Sequence, residues 1–599
     1  MTASPHVETS TPTVEGEDRR ISIGWRLLAL ANSLVIALSA LRGVGRGYTP
    51  LGDNALIELR GRDVLTENHP LLGTWSSASI SSGIDVNHPG PLLFELVALP
   101  VKLFGGGAGI AVAIALLNIS VVWLVGWLMA RTGGPPAALV AQVITAGLVW
   151  TLGSELLYDP WQPNVLVLPF WLFLCCIWAV AADIVVVLPL TVGVGTFVMQ
   201  THLGYLFIVP ILVTFAFASV VLRRRTLELG RFDDLRRPVM LSLGVAVVLW
   251  AQPLWEQLFA PGRGNIGRII VAGTVGGDDF EPVESSATGL TIGLRMLGSV
   301  WALPPWWGRP GFDSAIPPST WVDGPDGQVL SAPGLRSLVA AVVGLLVVAT
   351  VVALAWRYAR RQGEHLLEAG FVTLAVAAGV AVVTVIITPV DILGLSPHKV
   401  RWLWVIGAFA TYLLIMVVIA GLGGRNRSRA LAVLGGLGVV LVVATVPTHA
   451  NDSGPLSLRA TYPSVVELRD QLEEFATGET APAAVRFDSG GIGFAEPYTT
   501  PVIAELLRNG IELFVDDPAM SRQLGPRRQV ADVGGDADAD ALPLVYVRAG
   551  QEALEIPPGA ERIAFHDGDR SAFSPIEVTD RAVAVFLVRN PLAAGTGLP

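Results

Sequence analysis

GLRSLVAAVVGLLVVATVVALAW, residues 334–356, carries one charge, Arg336, and is followed at once by RYARR, residues 357–361. A run this apolar matches the roughly 20 residues that an α-helix needs to cross the hydrocarbon core of a bilayer. The arginines behind it mark the cytoplasmic end, where basic residues accumulate. Working outward, comparable runs lie near 23–43, 108–130, 135–153, 165–182, 184–200, 203–222, 239–257, 366–388, 401–422 and 430–447. The predicted fold class is a polytopic α-helical membrane protein of about 11 transmembrane helices with a C-terminal soluble α/β domain.

Composition agrees. The 599 residues are 52% hydrophobic and 15% charged, with a mean hydropathy of +0.57. That is too little charge to cover a water-soluble globule, so the lipid bilayer is one partner of the chain. From Asn451 onward there are 23 Asp+Glu and 12 Lys+Arg, a difference of −11 against −10 for the whole chain. The acidity therefore belongs to the tail, and neither part has the basic footprint of a nucleic-acid binder. Cys175 and Cys176 are neighbours in an apolar run and staple no distant loop.

With the N-terminus inside, Arg131 and the stretches Arg223 to Arg237, Arg357 to Arg361 and Arg425 to Arg429 all fall on the cytoplasmic side. Residues 1–22, rich in Thr, Ser, Pro and Glu, read as a disordered cytoplasmic tail. The transmembrane domain is expected over 23–448, with external loops at 44–107, 154–164, 258–333 and 389–400. The protein is thus expected to be a multi-pass protein of the cell membrane with residues 449–599 extracytoplasmic. Leu92 to Phe104 is too short to span, contains Glu95 and Lys102, and reads as an interfacial or re-entrant helix.

In the tail, helical patterns (Ser464 to Phe475, Pro501 to Asn509) alternate with strand-like runs (Ala484 to Phe487, Ile511 to Val515, Leu542 to Val547, Ala582 to Val588). Turn signals such as Ser489-Gly490-Gly491 separate them. A domain of this size is expected to fold alone from about residue 455.

The polar residues that could carry chemistry gather in the external segments. The first loop holds Gly52-Asp53-Asn54, Glu58, Arg60, Arg62 and Asp63, then Asp85, Asn87 and His88. Charges at a membrane face are costly unless paired or functional. Asp53, at a helix exit, has the placement of a general base near an acceptor hydroxyl. Glu155, Tyr158, Asp159, Trp161, Gln162 and Asn164 mix donors, acceptors and aromatic faces as sugar sites do, although an aromatic interface belt accounts equally for the Trp and Tyr. His202 is the histidine of the central bundle, and a packing role is the common one for such a residue. Thr388-Pro389-Val390-Asp391 and then His398, Lys399 and Arg401 lie at late external helix ends; three basic residues so close suit a phosphate, and anionic lipid headgroups nearly as well. Trp301, Trp306, Trp307 and Trp321 in the long loop suit a lid of stacking residues or an aromatic anchor.

This outline resembles the C-type (GT-C) superfamily of membrane glycosyltransferases, which transfer a sugar from a polyprenyl-phosphate donor at the outer face. It is similar in particular to the arabinosyl and mannosyl transferases of GC-rich, Gram-positive-type envelopes. The resemblance implies a glycosyltransferase whose partners are a polyprenyl-phosphate-linked sugar and an envelope glycan or glycolipid acceptor. It implies Asp53 as the catalytic base, and His398, Lys399 and Arg401 as the donor-phosphate group. Asn87, His88, Asp159, Gln162 and His202 are the acceptor or sugar candidates, with Asp159 resembling a residue that some relatives use for acceptor or metal contacts. Where many relatives have Asp-Glu, this chain has Asp53-Asn54. A divalent cation is the candidate cofactor, with no ligand set identified.

Two other classes compete. A secondary transporter would show inverted repeats and ionisable residues at mid-membrane, and neither is present in the sequence. A non-catalytic scaffold with an exported binding domain would keep its function when Asp53 is replaced.

Overall fold

The computed structural model describes residues 12–226, 233–260 and 262–591, apart from short stretches within 278–333 and at 391–393, 449–458, 489–495, 531–540 and 572–578. Among the described residues, nine helices are long and apolar enough to cross a membrane. The longest, α4 (Gly106–Leu152), is broken at Gly133 and at Gly134 (φ 77°, ψ −176°), with Pro135 and Pro136 next. A corner of this kind needs glycine's left-handed freedom and then prolines that start a new helix. The chain doubles back there, because Gln142 Nε2 donates to Val122 O at 2.8 Å. Counting α4 as two spans and adding the shorter apolar helix Val185–Thr201 gives eleven candidate spans among the described residues.

The other main helices before the tail are α1 (Pro12–Gly45), α2 (Asp53–Asp63), α3 (Leu92–Phe104), α5 (Val167–Ala181), α6 (Leu188–Thr201), α7 (Ile208–Thr226) and α8 (Asp233–Phe259). They are followed by α9 (Leu338–Arg361), α10 (His365–Ile387), α11 (Trp402–Gly421) and α12 (Gly424–Thr445). The first helix begins at Pro12 rather than near residue 23, so the part of the expected disordered segment that is described is helical, and residues 1–11 lie outside the described residues. Leu27, Leu34 and Leu41 of α1 are exposed at seven-residue spacing while Leu28, Val35 and Ile36 are buried. A leucine stripe of that length is stable against lipid and not against water. Inside, Asn32 Nδ2 donates to Gln142 Oε1 at 3.2 Å, tying α1 to the second half of α4.

The tail comprises α13 (Tyr462–Thr477), β1 (Ala484–Asp488), α14 (Thr499–Arg508), β2 (Glu512–Val515), α15 (Pro518–Leu524), β3 (Leu544–Ala549), β4 (Glu561–His566) and β5 (Val583–Val588). Its five-stranded sheet has the order β2-β1-β3-β5-β4. β1 runs parallel to β2 and β3, and β5 runs antiparallel to β3 and β4. β3 and β5 occupy the middle and read as almost unbroken apolar runs, VYV and VAVFLV, because both faces are covered. β4 escapes the sequence pattern: it is an edge strand that opens with Glu561-Arg562, both exposed. The turn Ser489-Gly490-Gly491 and Asp391 lie outside the described residues.

One face of this sheet is completed by another part of the chain. Leu51, Leu56 and Leu59 belong to the same apolar core as Val465, Leu468, Leu472, Val502 and Leu506. The expectation of a self-contained tail is corrected here: α2, from the first loop, packs into its core.

Candidate functional site

Gly52, with φ 47° and ψ −124°, turns the chain into α2 in a conformation that only glycine adopts without strain. Asp53 is the first residue after it. Its carboxylate accepts the Trp161 indole N–H at 3.2 Å. The Trp161 ring in turn lies 5.2 Å from the His398 ring and 5.3 Å from the Arg401 guanidinium, which also lies 4.4 Å from the Phe312 ring. Asp53 and the basic group, 345 or more residues apart in the chain, thus meet across a single indole. Arg401 is 1% exposed and stands at the start of α11, behind the 3₁₀ turn Pro397–Val400 that carries His398 and Lys399. Lys399 Nζ donates to Pro389 O at 3.2 Å, and Ser396 Oγ lies 2.6 Å from His398 Nδ1.

The electrostatics separate the roles. Burial raises the Asp53 carboxyl above the usual carboxylate range, the Trp161 bond opposing, although one side of Asp53 remains open to solvent. His398 is held well below the ordinary imidazole value by burial, then by Lys399, Arg401 and His202. His202 is pushed down to about 4 by burial and by Arg401, and His88 well down by burial and by His202. All three are therefore neutral at pH 7, and Lys399 and Arg401 supply the positive charge. The N-terminal peptide dipoles of α11 add to it.

The other candidates split into those beside this cluster and those used for packing. Asp159 is buried and held by two amides, with Asn54 Nδ2 at 2.7 Å and Asn164 Nδ2 in contact; burial raises its carboxyl to about 6, against Asn164, Asn54 and Arg401. The His88 and His202 rings lie 5.0 Å apart, and His88 Nδ1 accepts from Leu203 N–H at 3.2 Å. Asn87 is locked in a reciprocal pair with Asn265 and donates to Gly73 O at 3.0 Å. Gln162 Nε2 donates to Thr74 Oγ1 at 2.7 Å inside the protein. The latter two hold the first loop to its surroundings.

Of the remaining first-loop carboxylates, Glu95 accepts from the Gln252 side-chain amide, and the others are ion-paired, Glu67 to Arg527. Glu58 meets Arg62 at 3.1 Å and Arg469 at 3.4 Å, Asp63 meets Arg60 at 2.6 Å and Arg528 at 2.7 Å, and Asp85 meets Arg522. Asp53 has no ion pair among the described residues. No group of three His, Cys, Asp or Glu among the described residues is placed to hold a metal ion, and both Asp159 oxygens already accept from amides. Two tryptophans of the long loop are packing residues: Trp301 Nε1 donates to Leu403 O, and Trp306 fills a slot where a Cβ on Gly147 or Gly407 would come within 2.9 or 3.0 Å of its ring; Trp307 is exposed. The Trp321 side chain lies outside the described residues.

Trp161 and Phe312 are the site residues that sequence reasoning missed. Trp161 stood in an informative cluster but had the same signature as an interface anchor, and Phe312 had no local signal at all.

No family model matches the chain, and no curated protein matches it. Two solved structures of ArnT from Cupriavidus metallidurans are similar in outline. The one bound to undecaprenyl phosphate is 12% identical, with 94% of this chain and 98% of that chain covered and a TM-score of 0.48. The one in the apo state is 13% identical, with 96% and 99% covered and a TM-score of 0.46. Likeness of that degree assigns no function.

Proposed function

We propose that the protein is a membrane glycosyltransferase that moves a sugar from a polyprenyl-phosphate donor to a cell-envelope glycan or glycolipid at the extracytoplasmic face. The observation that carries the reading is the meeting of Asp53 with Arg401 and His398 across Trp161. Such a transfer needs a base for the acceptor hydroxyl and cations for the leaving phosphate, on one side of a lipid-facing scaffold.

In this mechanism the Asp53 carboxylate takes the proton of the acceptor hydroxyl as its oxygen bonds to the anomeric carbon. The bond from that carbon to the phosphate oxygen breaks, and the phosphate departs with the electron pair towards Arg401 and Lys399. Trp161 offers the sugar an apolar face and holds Asp53 in place through its N–H. Neutral His398 and His202 accept or donate hydrogen bonds without adding charge.

The test is transfer by purified protein in nanodiscs from undecaprenyl-phosphate-linked arabinose and mannose to lipids and glycans extracted from the source envelope. Asp53→Asn is expected to lower turnover by about a hundredfold to ten-thousandfold while donor binding stays within about twofold. Near-normal transfer by the variant would remove Asp53 from the chemistry. Arg401→Ala should weaken donor binding more than acceptor binding.

A further inference from the structure

The C-terminal domain grips the backbone of Gly52, directly before Asp53, at its N–H and at its C=O. Gly52 N–H donates to Pro497 O at 3.2 Å, and Thr500 Oγ1 donates to Gly52 O at 2.7 Å. Just upstream, Thr49 N–H donates to the Tyr462 hydroxyl. The gripping residues are themselves fixed. Pro497 and Thr500 flank the start of α14, where the Glu496 carboxylate accepts from Tyr498 N–H at 2.5 Å and Thr499 N–H at 2.9 Å.

Packing alone does not require these bonds. Leu56 and Leu59 already anchor α2 in the domain core, and Glu58 and Asp63 are ion-paired to Arg469 and Arg528. What the bonds to Gly52 add is a hold on both peptide planes that meet at its Cα, the one before it through N–H and the one after it through C=O, at a residue whose backbone sets the direction in which the next side chain leaves. Gly52 O also accepts from the Ala55 and Leu56 N–H groups at the start of α2, and glycine, having no Cβ, offers little steric resistance to reorientation of that turn; the Pro497 carbonyl and the Thr500 hydroxyl are what tie the turn to the domain.

We propose that Thr500 is a positioning residue for sugar transfer, and that the C-terminal domain serves the reaction by fixing the Gly52 peptide from which the Asp53 carboxylate projects. The proposal rests on Asp53 being the base. Misplacement of a reacting group by about 1 Å costs on the order of a hundredfold in rate, so a single hydroxyl at this point has leverage far beyond its own strength.

Two substitutions in the full-length protein separate positioning from folding. Thr500→Val keeps the shape and removes the hydroxyl; Thr500→Ser keeps the hydroxyl. Thr500→Val should lower kcat by about 10- to 100-fold, leave KM for the undecaprenyl-phosphate-linked sugar and the Tm near wild type, and move the acid limb of the pH profile down as Asp53 becomes better hydrated. Hydrogen exchange of peptides covering residues 48–58 should speed up. Thr500→Ser should restore kcat, the acid limb and the exchange rate. Wild-type kcat in Thr500→Val, or equal losses in the two variants, overturns the proposal. If Thr500→Val does not yield folded protein, Thr500→Ala is compared with Thr500→Ser in the same way. A wild type that transfers no sugar from either donor sinks the functional reading instead. In that case exchange decides whether the clamp exists: faster exchange in Thr500→Val alone upholds it, and unchanged exchange overturns it.

Discussion

Asp159 sits between the side-chain amides of Asn54 and Asn164, with Arg401 near enough to lower its pKa and burial strong enough to raise it to about 6. A folded-state value above that of the unfolded chain means that the native state binds the proton more tightly. Stability from this group is then fully present at about pH 4 and is lost as pH rises to about 6, with no further change above. Asp159→Asn removes that dependence. Its Tm relative to wild type, followed in detergent, should rise between pH 4 and pH 6 and then level off; a difference that is flat over that interval would remove burial as the dominant cause. The same contact explains position 54. An amide there donates to Asp159, whereas a carboxylate would set two acceptors face to face. Sequence showed Asp53, Asp159 and the late basic group as separate points of interest. Their meeting was not legible, because nothing local tells that residues 53, 161 and 401 share a neighbour.

Among the elements, α2 has the least support of its own. Eleven residues make a marginal helix in isolation. Its stability comes from lying in the core of the tail domain and from charge pairs that leave almost nothing exposed: the Glu58 and Arg469 side chains are 0% and 8% accessible. Breaking one side of a buried pair strands the other charge, at a cost of about 3–5 kcal/mol. Arg469→Met should therefore destabilise the domain by that amount in chemical denaturation, and adding Glu58→Gln and Glu505→Gln should recover much of it. A loss below about 1 kcal/mol would show that water reaches the pair. Sequence pattern located the elements whose partners are close or whose faces are uniform. The helix Leu92–Phe104 has the bounds read from the sequence, and the central strands β3 and β5 stand out as apolar runs. It did not locate β4, where an edge position permits polar residues, nor the role of α2, whose burial is set by a domain 400 residues away.

At the scale of the whole molecule, Arg224, in the last turn of α7, bridges Asp183 and Asp234 at 2.8 and 2.5 Å; Asp183 precedes α6 and His202 follows it, so this arginine-rich turn lies at the end of α6 away from the candidate site. A reporter inserted after Arg225 and one inserted after Thr445 should accordingly read opposite sides of the membrane, the first cytoplasmic. Both on one side would mean a wrong number of crossings. The helical membrane class was legible from hydropathy, because lipid imposes run length and charge exclusion on the sequence itself. The docking of the tail onto the first loop was not, since ion pairs between distant segments leave no periodic trace.

The pairing of Glu58 with Arg469 also orders events in time. They are 411 residues apart, and at a synthesis rate of about 5–20 residues per second the glutamate waits roughly 20–80 s for its arginine. During that interval Leu56 and Leu59 of α2, and Leu51 just before it, have no apolar core to enter. The nascent protein thus carries an open seam from its first loop until its final domain arrives, and any ribosome that stops early leaves the seam unclosed. Quality-control proteases that survey unfinished membrane proteins would find their signal there.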